Sequence, residues 1–351
     1  MMTVIESSRI HRAKRAFVTR NVEPDHLRLL QSSPDSINSG DLVLARVARV
    51  GQHKALELTT GRRSGMHEGD EILVAFGNRY APDQYEAIIP SEMEPCDLVA
   101  AGGIASRALS WSTRVSVPTS IEPIGLVCGA DGDVINLSQY TVEERVTAEL
   151  PKVIAVAGSS MNAGKTTVVA NLVRGLTRQG YRVGAVKITG TGAGGDLWKM
   201  RDAGAIAAVD FTDAGMASTF NVPLSRLYDA ATHLCSHLAS MQCDVIVMEI
   251  ADGIYQHESA GLIQSPLMQN LISAYVFAAD GSTGAAAGVS WLQRFGLVLG
   301  VGGKVTASPL ASREAESVTG LSCYTSSQLA IGEVARGWLE MLETDQLSEA
   351  L

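Results

Sequence analysis

Gly158-Ser159-Ser160-Met161-Asn162-Ala163-Gly164-Lys165-Thr166-Thr167 follows directly on the apolar run Val153-Ile154-Ala155-Val156-Ala157. It leads into residues 166–178, where Val169, Leu172, Val173 and Leu176 fall on one helical face before Gly180. A buried strand, a loop of small residues and a helix, in that order, aim backbone N–H groups and the helix N-terminus at one point, which is how a chain cradles an anion. Lys165 is placed to bridge β- and γ-phosphates, and the Thr166 hydroxyl to coordinate magnesium. The expected nucleotide contacts are therefore Gly158, Ser160, Asn162, Ala163, Gly164, Lys165, Thr166 and Thr167.

Outward from this loop the strand-then-helix texture continues. Apolar runs at residues 183–188, 245–250, 275–279 and 297–301 suit buried parallel strands, separated by amphipathic stretches of helix length such as residues 227–241. The alternation predicts an α/β fold over residues 146–351, a P-loop NTPase with a mainly parallel sheet covered by helices. Ligands of such sheets gather at the carboxyl ends of the strands. Lys187 ends one strand, and the Gly-rich run Gly190-Thr191-Gly192-Ala193-Gly194-Gly195-Asp196 follows. Glu249 ends another, where a carboxylate can hold a metal's water shell beside Thr166, with Asp252 as the alternative. After a late strand, Gly302-Gly303-Lys304-Val305-Thr306 is the expected base-facing loop, with Gly303 and Lys304 as contacts and Asp280-Gly281-Ser282-Thr283-Gly284 as a second lining. The absence of an Asn-Lys-x-Asp guanine signature tilts the nucleotide to ATP over GTP. Asp210 and Asp213 read equally as substrate contacts or as strand-end and capping acids.

The phosphate loop departs from the strict pattern, because Gly158 stands one position early and Ser159 occupies the usual place of the first glycine. In that form it resembles the P-loop subfamily of dethiobiotin synthetase, cobyrinic acid a,c-diamide synthase and the molybdopterin-guanine dinucleotide adaptor GTPase. The lysine that ends the second strand, the aspartate downstream of it and the strand-end glutamate are similar to dethiobiotin synthetase. The resemblance implies that Lys187 stabilises charge on the transferred phosphoryl group, and that Asp196 and Glu249 join Thr166 around Mg2+. Lys165, Lys187, Glu249 and Asp196 are the expected catalytic set. The implied activity is ATP- and Mg-dependent phosphoryl transfer to a small metabolite, a carboxylate, by a kinase or an acyl-phosphate-forming ligase. The alternative is a nucleotide-switched, GTP-binding adaptor acting on a partner enzyme. Related enzymes are commonly dimers, which implies a homodimer. The resemblance covers about 180 residues, and the rest of the chain is unlike dethiobiotin synthetase, so a different substrate is expected.

Residues 1–145 have another texture. Short runs at residues 41–50, 55–59, 71–76, 85–89 and 134–137 are parted by Gly51, Gly61-Arg62-Arg63, Gly69-Asp70 and Asp131-Gly132-Asp133, which predicts a smaller N-terminal β-rich domain, a barrel or sandwich with a substrate, partner or dimerisation role. Gly77–Gln84 reads as a polar hairpin loop or a specificity lining. A helical connector is expected over residues 141–146.

At 351 residues the chain is long enough for two cores. Its formal charge of −9 repels nucleic acid, and the one short basic cluster, Arg9, His11, Arg12, Lys14 and Arg15, reads as a solvated face. No apolar run reaches membrane-spanning length and none follows the basic N-terminal residues, so a cytoplasmic protein without membrane contact is expected. Five scattered cysteines form no C-x-x-C pair, which speaks against a disulfide framework or zinc knuckle. His233 and His237 stand four apart on a helix with no third ligand in view, and read as a partly exposed face.

Overall fold

A computed structural model describes residues 2–143 and 150–349. The expected connector over residues 141–146 and the expected boundary near residue 145 fall on or beside residues 144–149, outside those described. The chain divides into two compact units. The first comprises Met1–Val142 with Gly190–Gly195 and Phe211–Val222; the second comprises Glu143–Thr189, Asp196–Asp210 and Pro223–Leu351.

The first unit contains β1 (Met2–Val4), α1 (Ser7–Arg12), β2 (Lys14–Arg15), β3 (Leu29–Gln31), β4 (Leu42–Arg49), β5 (Ala55–Glu57), β6 (Arg63–Gly65), β7 (Glu71–Phe76), β8 (Arg79–Tyr80), β9 (Tyr85–Ile88), β10 (Cys96–Ala100), β11 (Ile104–Trp111) and β12 (Thr119–Cys128). Pairing runs from β12 to β4, β7, β11 and β10 and back to β12, so the sheet closes on itself as a small barrel. Closure removes the sheet edges that would otherwise template aggregation. Leu42, Leu44, Ile72, Val74, Leu98, Ile104, Ile121 and Leu126 are buried in this unit, where strand alternation puts apolar side chains inside.

Three of the barrel strands escaped the sequence pattern. β12 carries Pro123 and Gly125, residues that argue against a central strand, and the register against β4 slips between them. A bulge is where a sheet tolerates a missing donor and a missing side chain. β10 has only five residues, one of them Asp97, and β11 is rich in Ala and Ser, so the alternation of both is weak. In the opposite direction, residues 134–137 are not a strand. Val134 makes a single bridge to Cys128, and Asn136 caps a short 3-10 turn at Leu137–Gln139, its side chain accepting from the Ser138 amide. The Asn side chain competes with ladder pairing for those amides.

The second unit is built on β13 (Lys152–Gly158), β14 (Val183–Lys187), β15 (Ala207–Asp210), β16 (Val245–Glu249), β17 (Ala274–Ala278) and β18 (Val298–Gly302), in the order β15-β14-β16-β13-β17-β18, every pair parallel. Its helices are α2 (Lys165–Arg178), α3 (Gly195–Asp202), α4 (Leu224–Ser240), α5 (His257–Gln264), α6 (Pro266–Leu271), α7 (Ser282–Leu292), α8 (Pro309–Thr319), α9 (Ser326–Ile331) and α10 (Glu333–Glu349). α2, α4 and α7 pack on the sheet. The central strands are buried throughout, as parallel strands covered on both faces must be. β15 was hidden because Ala207-Ala208-Val209-Asp210 is short and weakly patterned. Among the described residues no helix is long and apolar enough to cross a membrane. Cys96, Cys128, Cys235 and Cys243 are buried free thiols.

Candidate functional site

The loop between β13 and α2 is held from three sides. The Ser159 amide donates to the Ala278 carbonyl at 3.0 Å, the Ile254 amide to the Gly158 carbonyl at 3.0 Å, and the Lys304 amide to the Ala163 carbonyl at 2.9 Å. Gly164 has a φ of 108°, a conformation that a side chain would strain, and it turns the loop into the first turn of α2. Asn162 also has a positive φ, 67°, which asparagine tolerates better than most residues. Ser159 donates to Asp280 at 2.9 Å and Ser160 to the same carboxylate at 3.5 Å.

Around the start of α2, side chains from four elements converge. The Thr166 hydroxyl donates to Glu249 Oε1 at 2.9 Å, joining α2 to the end of β16. Lys187, the last residue of β14, forms an ion pair with Asp196 in the first turn of α3. Lys165 is buried, and its Nζ donates to the Ser160 carbonyl at 2.8 Å. Gly303, with a φ of 90°, lies so near the Ala163 carbonyl that an added Cβ would stand 2.5 Å from it. The structure thus brings Lys165, Thr166, Lys187, Asp196 and Glu249 together and packs Gly303 and Lys304 on the loop backbone at Ala163. It leaves Thr167 exposed, one residue beyond Thr166 along α2.

The electrostatics follow from this convergence. Burial pushes the Glu249 carboxyl up, and the Asp196 charge adds to that; Lys187, Lys165 and the Thr166 hydrogen bond oppose them without cancelling them. Burial pushes Lys165 down, against the carboxylates of Glu249 and Asp252. Burial alone would also lower Lys187, but Asp196 and Glu249 outweigh it and hold the ammonium charged. For Asp196, burial is outweighed by the Lys187 charge and hydrogen bond, so its carboxyl sits below the usual range.

One atom of the cluster stands apart. Glu249 Oε2 is buried and has no hydrogen-bond partner among the described residues. A buried carboxylate oxygen without a donor is costly, and a metal-bound water would satisfy it. The residues therefore fit a magnesium-bound triphosphate: loop amides and Lys165 for the phosphates, and the Thr166 hydroxyl with Glu249 and Asp196 on the metal side. When bound, the metal neutralises charge on the β- and γ-phosphates. Among the described residues no cluster of three or more His, Cys, Asp or Glu could hold a metal by itself. His237 Nδ1 lies 3.1 Å from the Glu143 carbonyl.

The other candidates lie elsewhere. Asp213 pairs with Arg20 at 2.7 Å and accepts from Asn21 Nδ2 at 2.9 Å within the barrel unit, which favours its reading as a structural acid. Asp210 is buried at the end of β15. Gly77–Gln84 contains β8 and the turn that leads into β9, and in it Arg79 donates to Gln84 Oε1 at 2.9 Å. Asp280 holds the loop more directly than its standing as a second lining suggested; its signal was an acid at a strand end in the row of Glu249.

The comparisons agree with this geometry. The family MobB, molybdopterin guanine dinucleotide synthesis protein B, matches residues 153–263, about a third of the chain and the part that holds the loop, Lys187, Asp196 and Glu249. This domain has the P-loop NTPase fold. Solved structures similar to the chain include signal recognition particle 54 kDa protein from Aeropyrum pernix K1 in complex with GDP (19% identity, 57% of this chain and 50% of that one, TM-score 0.37). The receptor FtsY from Elizabethkingia anophelis in complex with GDP gives 17% identity, 56% of each chain and a TM-score of 0.30. FtsY from Thermotoga maritima gives 17% identity, 56% of this chain and 72% of that one, and a TM-score of 0.36. The match thus spans about half the length of the first two structures, and TM-scores this low carry no argument about function. No curated protein matches the chain.

Proposed function

We propose that this chain is a magnesium-dependent nucleotide switch that takes GTP ahead of ATP and whose hydrolytic cycle acts on a partner through the barrel unit. The observation that carries the nucleotide part is the Glu249 carboxylate, one oxygen on the Thr166 hydroxyl and the other buried without a partner, beside the Lys187–Asp196 pair. The switch part is supported by chain connectivity. The chain leaves β14 just after Lys187 and β15 at Asp210, and the segments that follow, Gly190–Gly195 and Phe211–Val222, belong to the barrel unit. A change at the phosphate-facing strand ends is thereby passed along the backbone into that unit. The MobB match favours an adaptor over a metabolite kinase, and the ATP preference expected from the missing guanine signature has no support beyond that absence. In this reading the protein is cytoplasmic, and the barrel also serves a homodimer.

Phosphoryl transfer to a small carboxylate is the second reading, and Lys187 favours it. A half-buried ammonium held charged at a strand end, beside the expected γ-phosphate position, suits a group that meets developing negative charge. Phosphate release from GTP and from ATP with magnesium, with and without a pool of cellular metabolites, separates the two. The switch reading expects slow GTP hydrolysis indifferent to metabolites. Strong metabolite stimulation with ATP overturns it in favour of the transferase, and no release from either nucleotide removes both.

A further inference from the structure

The basic cluster near the N-terminus is not a plain solvated face. Within the barrel unit, α1, β2 and the β5–β6 hairpin enclose a concavity of about 380 Å³, a size suited to a small molecule. His11, Arg12, Lys14, Arg15 and Arg62 contribute to its wall, with the hydroxyls of Thr59, Thr60 and Ser64, and no carboxylate lines it. In a chain of net charge −9, that is a local inversion of sign.

The charges differ in how far they are already met. Lys14 is closed by Asp70 and the Gly65 carbonyl, so it contributes little. Arg15 is half-buried, and its hydrogen bonds go to the uncharged carbonyls of Thr19 at 3.0 Å and Val22 at 2.6 Å. Its Nε is buried with no hydrogen-bond partner among the described residues. Burial accordingly lowers its pKa, opposed only by the charge of Glu23 at a distance. The exposed Arg12 and Arg62 side chains have no ion pair among the described residues. Three guanidiniums around one small hollow, one of them desolvated, repel one another until an anion is present, and guanidinium is the side chain best shaped to take an oxyanion in two hydrogen bonds.

The floor of the hollow is linked to the Gly190–Gly195 segment of the same unit. The Thr59 amide donates to the Arg15 carbonyl at 3.3 Å, and Leu58 bridges Ala16. Next in the chain, the buried Glu57 accepts from the Gly194 amide at 3.0 Å. Gly194 and Gly195 lead covalently into Asp196, the partner of Lys187.

We infer that this hollow is a binding site for a small metabolite carrying phosphate or carboxylate groups, and that its occupant acts on the nucleotide site through Glu57 and the Gly194–Asp196 segment. The binding part stands apart from the proposed nucleotide cycle; the coupling rests on it.

Citrate and inorganic phosphate, titrated separately by calorimetry into the full chain, are the probes, and their order of affinity distinguishes a carboxylate ligand from a phosphate one. Saturable binding is expected to persist in Lys165→Ala, whose phosphate loop is disabled, and to weaken about tenfold or more in the Arg12→Ala/Arg62→Ala double variant, whose exposed positions spare the fold. No binding in the wild type overturns the site, as does binding lost in Lys165→Ala but kept in the double variant. A short single-stranded RNA that displaces citrate overturns the small-ligand assignment. For the coupling, the better probe should change the affinity of magnesium-nucleotide several-fold in the wild type and in Glu57→Gln, which keeps an acceptor for Gly194, but not in Glu57→Ala. An unchanged affinity in the wild type overturns the coupling, and a nucleotide that does not bind at all overturns the switch reading while leaving the anion site to its own test.

Discussion

In the barrel unit Arg9 meets Glu71 at 2.7 Å, Lys14 meets Asp70 and Arg20 meets Asp213 at 2.7 Å, each cation closed by a carboxylate of the same unit. At the strand ends of the second unit the charges converge instead of closing. Glu249 shares a centre with Asp196, Lys187 and Lys165, and keeps one oxygen unmet. The first pattern is that of a framework, complete without a ligand. The second is that of a site whose repulsions and orphaned atom are relieved only by something added. Where the barrel breaks its own pattern, at Arg15 with Arg12 and Arg62, it adopts the second one.

The largest effect expected from this contrast is at Lys165. Lys165→Ala should cut nucleotide hydrolysis about 10³-fold or more, since a cation at the γ-phosphate is worth that much in phosphoryl transfer. Thermal unfolding should be unchanged or raised, because the substitution removes a buried cation whose own pKa burial depresses. Steady-state phosphate release and calorimetric melting check both halves. Retained activity would take the loop out of the chemistry, and a large fall in Tm would make Lys165 part of the framework.

Asp213→Ala probes the opposite case. It strips Arg20 of the Asp213 carboxylate in a place where both side chains are nearly buried, 11% and 8% exposed. Breaking a buried pair from one side costs about 3 kcal/mol or more. Denaturant unfolding should show that loss while the folded fraction still hydrolyses nucleotide. Activity lost without any change in stability would move Asp213 from framework to site.

A smaller effect belongs to Glu249→Gln. It preserves an acceptor for Thr166 but removes the charge, so the magnesium concentration for half-maximal hydrolysis should rise about tenfold, with metal-free nucleotide binding nearly unchanged. Equal losses in both would assign Glu249 to the framework.

How far each pattern could be read in advance differs for a physical reason. The site lies at the ends of parallel strands buried on both faces, and such strands declare themselves as continuous apolar runs. Lys187 and Glu249 could be named because each interrupts a run at its end. The barrel is legible where a strand alternates, as at β9, or runs apolar, as at β7, and not at the Pro123 bulge of β12, in the short β10 or in the Ala- and Ser-rich β11. Its pairings also join residues far apart in the chain: Arg20 with Asp213 and Glu57 with Gly194 depend on Phe211–Val222 and Gly190–Gly195 belonging to the barrel unit. No local pattern carries that, since the two segments lie within the other half of the sequence. The anion hollow was visible as a cluster of basic residues, but Arg62 and the threonines that give it walls come from a hairpin some fifty residues on.

The smallest expected effect asks whether the β4–β5 loop closes around the His53 ring as tightly as the strands pair. His53 Nδ1 is buried without a hydrogen-bond partner among the described residues, its ring lies 5.8 Å from the Tyr85 ring, and burial, reinforced by the charges of Arg79 and Arg63, lowers its pKa to about 4 from 6.5. The unfolded chain then takes up this proton before the folded one, so the contribution of neutral His53 is complete above pH 6.5 and is lost as pH falls from 6.5 towards 4. Between pH 7 and pH 5 the Tm of the wild type should therefore fall further than that of His53→Gln, by about a few degrees. Other titrating groups act alike in both proteins and cancel in the difference. Parallel pH profiles would mean that His53 titrates normally, that water reaches the ring, and that the barrel too holds a charge-accepting interior.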